Sequence, residues 1–444
     1  MIPVEPPEPL DDLLDTLASF LDARHAELLA PLFLGTVLAW GRRTATAWFR
    51  ACGIGAEFRR GYTLLGSLGR RVPLLASVAF GHLRRSIDPG PRWLFALDDT
   101  PTRRYGPPVE GAGTHRNPTP GPAHQRYLYG HVWVTLAWAV RHPGWDTLAL
   151  PLWADLYIRA KDLPAIDADR RPEFRTKLDM AAAQIAWAAR AVHGSGKPVW
   201  VAVDGGYSNQ PVLRAARKEG VVVVGRLRKD AALYGLPPAP RGGRRRPGRP
   251  PVYGKDRLSL ARRAAHPLGW QEVQCHQYQK DVTKQVKTFL ATWHPAGGVI
   301  RVVVVREDDG WLAYFCTDPG ASAKDILEAA ADRTALEQVN KDVKEVEGAG
   351  QQQLRYWRAN AGAFNLCLWS HAAVEWWAWD QPDEELADRS ASPWDTAERR
   401  PSHQDKRKAL QRECLWQEFQ SRLRGRPCPP EILEMVQALL WRGG

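Results

Sequence analysis

The stretch 333-RTALEQVNKDVK-344 decides how the rest of the chain is read. It sets Glu337 four residues, and Lys344 a further seven residues, after Arg333. Side chains on an α-helix repeat every ~3.6 positions, so these three share one face. Leu336, Val339, Val343 and Val346 recur at core spacing on the opposite face. The spacing predicts a helix with an acid between two bases on its wet side and an apolar stripe on its dry side. Two further acids belong with it. Asp98 follows the apolar run 93-WLFAL-97, and Asp204 follows 199-VWVAV-203. Rigid neighbouring strands would fix the separation of acids at their ends. The expectation is that Asp98, Asp204 and Glu337 converge on a pair of metal ions.

Outward from that helix, the apolar patterning predicts strands at 92–98, 127–141 and 146–158, a helix at 172–193, and a strand at 198–204. A helix at 208–219 and a strand at 221–227 follow. The order β-β-β-α-β-α-β is that of an α/β fold with an RNase H-like mixed sheet. A Pro- and Gly-rich stretch, 100–125, reads as one long loop, and such loops are usually functional. Residues 236–254, LPPAPRGGRRRPGRPPVYG, read as an exposed basic loop. Short β runs then recur at 256–263, 270–278, 284–293, 298–306 and 311–316. The helix carrying Glu337 begins near 324, and another spans 361–379. Five regions result: a helical segment 1–88, the first part of the core 89–227, a β-rich insertion 228–320, the second part of the core 321–380, and a small C-terminal segment 381–444. The first region is rich in Arg from 42 onward, which suits either a DNA-contacting module or a solvated packing domain.

The chain has 444 residues, 44% hydrophobic and 25% charged, within the ordinary range for a globular protein. Its net charge of +12 favours a polyanionic partner such as nucleic acid. Six scattered cysteines with no CxxC pair argue against a zinc site or a disulfide framework, and for reduced thiols. The acidic, Pro-rich start is unlike a signal peptide, and no apolar run reaches the ~20 residues needed to span a bilayer. A cytoplasmic protein with no membrane partner is expected.

Two-metal phosphodiester chemistry needs carboxylates that hold ions ~3.5–4 Å apart. Mg²⁺ prefers oxygen ligands and keeps several waters, so few carboxylates suffice. Arg333 and Lys344 are placed to grip phosphates beside the scissile bond, Arg bidentately and Lys as a point charge. Taken singly, each acid has a plain structural reading: a turn former after a strand, or half of an i,i+4 ion pair. It is their joint order that carries weight.

The motifs 97-LDDTPT-102, 201-VAVDGGY-207, Arg333-x3-Glu337-x6-Lys344 and 348-GAGQQQLR-355 resemble those of bacterial insertion-sequence transposases of the DDE superfamily. The resemblance covers about residues 90–380 and is to the branch with a β-rich insertion before the catalytic Glu. It implies two Mg²⁺ ions, with Mn²⁺ able to substitute, bound by Asp98, Asp204 and Glu337. It implies cleavage of double-stranded DNA at terminal inverted repeats, strand transfer into target DNA, and a homodimer in the DNA complex at the bacterial nucleoid. Alternatives are a catalytically silent DNA-binding regulator and a two-metal nuclease without strand transfer. That branch usually carries Tyr three residues before the Arg, where this chain has Ala330. Asp99 competes with Asp98. The two point to opposite faces of a strand, so only one enters the site, and the flanking pattern favours Asp98.

Further DNA-contacting candidates are Arg103, Arg104, His115, Arg116 and His124 after the first strand, Lys341 on the helix, and Arg245, Arg246 and Arg249 in the basic loop. Pro247-Gly248-Arg249-Pro250 resembles a minor-groove hook. Trp293 and Trp311 are candidates, by region, for stacking on a flipped base. Lys406, Arg407, Lys408 and Arg412 lie near helical spacing, either on DNA or on a solvated face.

Overall fold

The computed structural model describes residues 5–106, 109–117, 125–238, 251–387, 389, 394–396, 399–423 and 425–442. Five helices open it: α1 (Glu8–Ala18), α2 (Ala23–Leu38), α3 (Ala45–Ala51), α4 (Phe58–Arg70) and α5 (Val72–Leu83). The core follows as β1 (Trp93–Arg103), β2 (Gly113–Arg116), β3 (Tyr127–His142), β4 (Asp146–Tyr157), α6 (Lys177–Ala191), β5 (Val199–Val203), α7 (Gln210–Lys218) and β6 (Val222–Arg226). The insertion holds β7 (Leu233–Tyr234), β8 (Arg257–Leu258), α8 (Leu260–Ala265), β9 (Gln271–Gln277), β10 (Lys280–Trp293), β11 (Gly298–Glu307) and β12 (Gly310–Cys316). The chain ends with α9 (Ala323–Asp332), α10 (Thr334–Glu345), α11 (Trp357–Trp377), α12 (Asp383–Leu386), α13 (His403–Leu423) and α14 (Pro430–Arg442).

The core strands stand in the order β4-β3-β1-β5-β6, with β1, β3 and β4 antiparallel and β1, β5 and β6 parallel. This is the mixed RNase H-like sheet that the element order implies. The insertion extends it, because β12 pairs antiparallel with β6 from Tyr314↔Arg226 to Cys316↔Val224. β11, β10 and β9 continue from there into one 12-stranded sheet. The run at 256–263, expected to be all β, is half α8, from Leu260 on. Ser259 caps that helix by accepting a hydrogen bond from the Arg262 N–H, as N-cap serines do.

The N-terminal helices share one buried core with the sheet and α11. Phe80 on α5 packs against Trp93, Phe95, Trp138 and Trp187. Helices α4 and α11 cross backbone to backbone: a Cβ on Gly362 would lie 1.9 Å from the Leu65 carbonyl oxygen. Any side chain there would force the helices apart, so this helical segment is welded to the catalytic core. Most of the tryptophans serve this packing; Trp133, for example, is fully buried and stacks on Phe364 at 4.1 Å.

Three further sequence expectations are corrected here. The first strand does not end at Asp98 but runs on to Arg103, because β3 continues to pair with it as far as Gly130. Its parallel partner β5 stops at Val203, so what ends beside Asp98 is the neighbouring strand. The stretch 100–125 is likewise not all loop, since it contributes the end of β1 and β2, which pairs with β3. The helix expected from about 324 is broken at Arg333 into α9 and α10.

Candidate active site

Parallel pairing of β1 with β5 runs from Trp93↔Val199 to Leu97↔Val203. Asp98 and Asp204 are therefore the next matched positions, just beyond the end of that ladder. Side chains alternate along a strand. Leu94, Trp200 and Ala202 pack against Ile326 and Leu327 of α9, so Asp98 and Asp204 fall on the side covered by α9 and α10. Asp99 falls on the other side, where it pairs with Lys177 of α6. The geometry thus separates the two neighbouring acids: Asp98 faces Arg333, and Asp99 is engaged elsewhere.

Arg333 sits at the joint between α9 and α10. Its guanidinium donates to Asp98 Oδ2 at 3.2 Å and to Glu337 Oε1 at 2.5 Å. Burial works against its charge, but Asp98, Glu337 and Asp204 outweigh that and favour it. All three acids therefore act on one cation. Burial pushes the Asp98 carboxyl up to about 6; Arg333 opposes the shift and Asp204 adds to it. Glu337 lies in the first turn of α10, where a helix favours negative charge, and its side chain is 54% exposed. Lys344 Nζ donates to Thr100 Oγ1 at 3.1 Å, two residues beyond Asp98 on the same face of β1. Burial lowers the proton affinity of Lys344. Leu336, Val339 and Val343 are buried, as their spacing requires.

The turn after β5 shapes the second acid. Asp204 Oδ1 accepts from the Tyr207 N–H at 3.1 Å, and Ser208 Oγ donates to the Asp204 carbonyl at 3.0 Å. A Cβ on Gly206 would lie 3.1 Å from Asp204 Oδ1, so the glycine leaves room around the carboxylate. Tyr207 escaped the sequence reading of site residues. It is buried, with its hydroxyl against Asp99. Burial, with Asp99, Asp98 and Asp204 around it, holds the phenol protonated. Its only sequence signal is its place in 204-DGGY-207.

The remaining candidates divide. Lys341 is exposed on α10, and Arg103 is exposed with a hydrogen bond to Gln125 at 2.8 Å. Arg104 does not reach the surface: it is 7% exposed and bonds His131, the Gly350 carbonyl and Asn360. His115 is half-buried, its proton affinity depressed to about 4 by burial and by Arg159 and Lys177. Arg116 is exposed. Arg245, Arg246, Arg249 and His124 lie outside the described residues. Trp293 is buried against Phe315, unavailable to a base, whereas Trp311 is partly buried with Lys229 over its ring. Ala330 packs in the cluster beneath α9. Lys406 and Arg407 are on neither DNA nor a solvated face, since both are buried.

Burying those cations creates a second charged cluster. His403 bonds Glu375 at 2.7 Å and Glu347 at 2.9 Å, Lys406 bonds Glu375 at 2.5 Å, and His371 stacks on His403 at 3.8 Å. Among the described residues, His371, Glu375 and His403 are the one group of three ligand-type side chains whose donor atoms lie within 4.8 Å of one another. Their chemistry nevertheless disfavours a metal. Both His403 nitrogens are already bonded to carboxylates, and Lys406 occupies Glu375. The two imidazoles lie nearly parallel at 19°, so their in-plane lone pairs do not meet at one point. The Asp98–Asp204–Glu337 set is more open, is made of hard oxygen donors, and carries more negative than positive charge. It suits divalent cations shared along the set, as Mg²⁺ chemistry requires.

The sequence model of the family described as DDE superfamily endonuclease matches residues 17–294, more than half of the chain. The chain belongs to that family. A comparison with curated proteins gives no match. The match to the DDE superfamily endonucleases contains Asp98 and Asp204 and stops just after β10, before Glu337. Glu337 is joined to these two acids by geometry, through Arg333, and not by the family match. Among the described residues of this DDE superfamily member, no helix is long and apolar enough to cross a membrane.

Proposed function

We propose that the protein is a transposase, cutting DNA at the terminal inverted repeats of a mobile element and joining the ends to target DNA. The observation that carries this reading is the position of Arg333, bonded to Asp98 and Glu337 and within the field of Asp204. Asp98, Asp204 and Glu337 would hold two Mg²⁺ ions. When bound, such ions activate the attacking oxygen and stabilise the leaving one. The chain's own residues supply the rest. Arg333 and Lys344 neutralise the charge gathering on the phosphate, Arg333 by its planar fork and Lys344 as a point charge. Thr100 and Glu337 hold these two cations in place. Hydrolysis breaks the bond from phosphorus to the 3′-oxygen and leaves a 3′-hydroxyl. That hydroxyl then attacks a target phosphodiester and displaces its 3′-oxygen in turn. Bringing two element ends together needs two such sites, which a homodimer on DNA supplies.

The test uses a duplex carrying a terminal repeat, with Mg²⁺ or Mn²⁺. Asp204→Asn and Glu337→Gln should each abolish nicking while leaving duplex binding intact. Retained nicking in either variant sinks the assignment of the carboxylates. A pre-cut 3′-hydroxyl end tests joining. Nicking without joining would reduce the proposal to a nuclease, and binding with neither would make the protein a regulator.

A further inference from the structure

The insertion carries cations that the catalytic proposal does not use. On β10, β11 and β12, the residues facing the α6–α7 side of the sheet include Lys287, Phe289, Arg306 and Trp311. Phe289, Trp311 and their neighbours Val302, Val304 and Phe315 belong to the core cluster on that side. Cations lie over aromatic rings along this face. Lys229 sits 5.2 Å from the Trp311 ring, Arg306 and Lys287 sit 4.5 and 4.6 Å from Trp270, and Arg263 sits 4.1 Å from Phe289. Arg306 and Trp311 are paired across β11 and β12, so the row is continuous. Lys287 is buried, and its Nζ donates to the carbonyls of Arg263 and His266, which fixes its charge beneath the end of α8. Beside it opens a concavity of about 450 Å³ lined by Arg262, Arg263, His266, Lys287 and Phe289, with no carboxylate in its wall. Among the described residues, none of Lys229, Arg262, Arg263, Lys287 or Arg306 pairs with an acid, whereas Arg60, Arg159, Arg170 and Arg399 all do.

We infer that this ribbon is a second DNA-binding surface that grips the phosphate backbone away from the scissile bond. The inference rests on the reading of the substrate as DNA. Aromatic rings hold the cations in place, and unpaired cations held in place suit a polyanion. The rings themselves are not free for bases, because Trp270 already carries two cations. The contact is therefore to phosphates and independent of sequence. The row lies three to five strands from β1, about 14–24 Å at ~4.8 Å per strand. It faces the side away from Asp98 and α10, so the phosphates it takes are not those being cut.

The test compares the full chain with Arg262→Glu/Arg263→Glu. Both positions are exposed, so the fold should tolerate the change. Binding is read by fluorescence anisotropy on a duplex of about 12 base pairs centred on the cleavage site and on one of about 40 base pairs, across a salt series. Charge reversal should weaken binding of the long duplex by about tenfold or more. It should flatten the slope of log K against log salt by about two, and do so equally for unrelated sequences. Nicking of the short duplex at saturating protein should not change. Unaltered affinity and slope would overturn the ribbon while leaving the carboxylates untouched. Tighter binding of poly-glutamate than of duplex would overturn the choice of DNA. Long-duplex binding that the reversal weakens, with no nicking by the parent protein, would support the ribbon and sink the catalytic reading instead.

Discussion

Helix α10 joins two groups of carboxylates that are built from the same residue types and used in opposite ways. At its first turn, Glu337 joins Asp98 and Asp204 around Arg333. Just past its last turn, Glu347 joins Glu375, His403, Lys406 and Arg407. The first group has an excess of negative charge and an exposed member. The second is sealed, with Glu347, Glu375 and Lys406 each under 5% exposed and three cations facing two acids. A compact constellation of ligand-type side chains is therefore not by itself the mark of a metal centre. On the proposed reading, uncompensated charge and access would mark one, while the sealed cluster, already supplied with cations, has no need of an ion and ties α13 to α10.

The contrast breaks most visibly at Asp98. Asp98→Asn should lower metal-dependent nicking by well over the 10–100-fold typical of outer-shell changes. Thermal stability should hold or rise, because burial already disfavours the Asp98 carboxylate. A nicking assay paired with a melting curve checks both, and a fall in Tm with retained activity would reverse the roles of the two clusters.

Glu375→Ala should do the opposite. Removing one partner of a buried ion pair costs about 3–5 kcal/mol, because Lys406 and His403 are left without their acid. Chemical denaturation should show that loss, while the protein still folded nicks DNA as before.

A pH series sharpens the same point. Burial opposes a charge on His403, but its bonds to Glu347 and Glu375 outweigh burial and push it up to about 9. Its folded value exceeds the unfolded value of about 6.5. Its contribution to stability is therefore complete below about 6.5 and is lost as pH rises through about 9. Lys406 works the other way as it titrates, because burial lowers its proton affinity. The fall in stability over that window should disappear in His403→Gln.

The smallest expected effect is on the stability of Glu337→Gln. Its pair with Arg333 is an i,i+4 contact with a half-exposed partner, and such pairs are worth about 0.3–0.5 kcal/mol. Denaturation curves should nearly overlay those of the parent even though nicking is lost.

Much of this was legible in the chain. The strand order of the core and the apolar stripe of α10 follow from periodicity, because burial acts on every second or every third-to-fourth residue. The break at Arg333, the continuation of β1 past Asp98 and the true position of Arg104 were not legible. Two of these depend on partners distant in sequence: the β3 residues that keep pairing with β1, and Asn360 and Gly350, which take up Arg104.

Local spacing and residue chemistry in the chain were enough for most of the core elements and for naming Asp98, Asp204 and Glu337 as candidates, and the motifs carried the resemblance to the family. Only the tertiary structure decided which of Asp98 and Asp99 meets Arg333, since that choice is made by the parallel register of β1 with β5 and by Lys177 across the sheet. Only it showed that Lys406 and Arg407, two cations among many along the chain, are spent inside the protein. A charge reveals its use only through what surrounds it, and the surroundings of these residues come from helices and strands far away in the sequence.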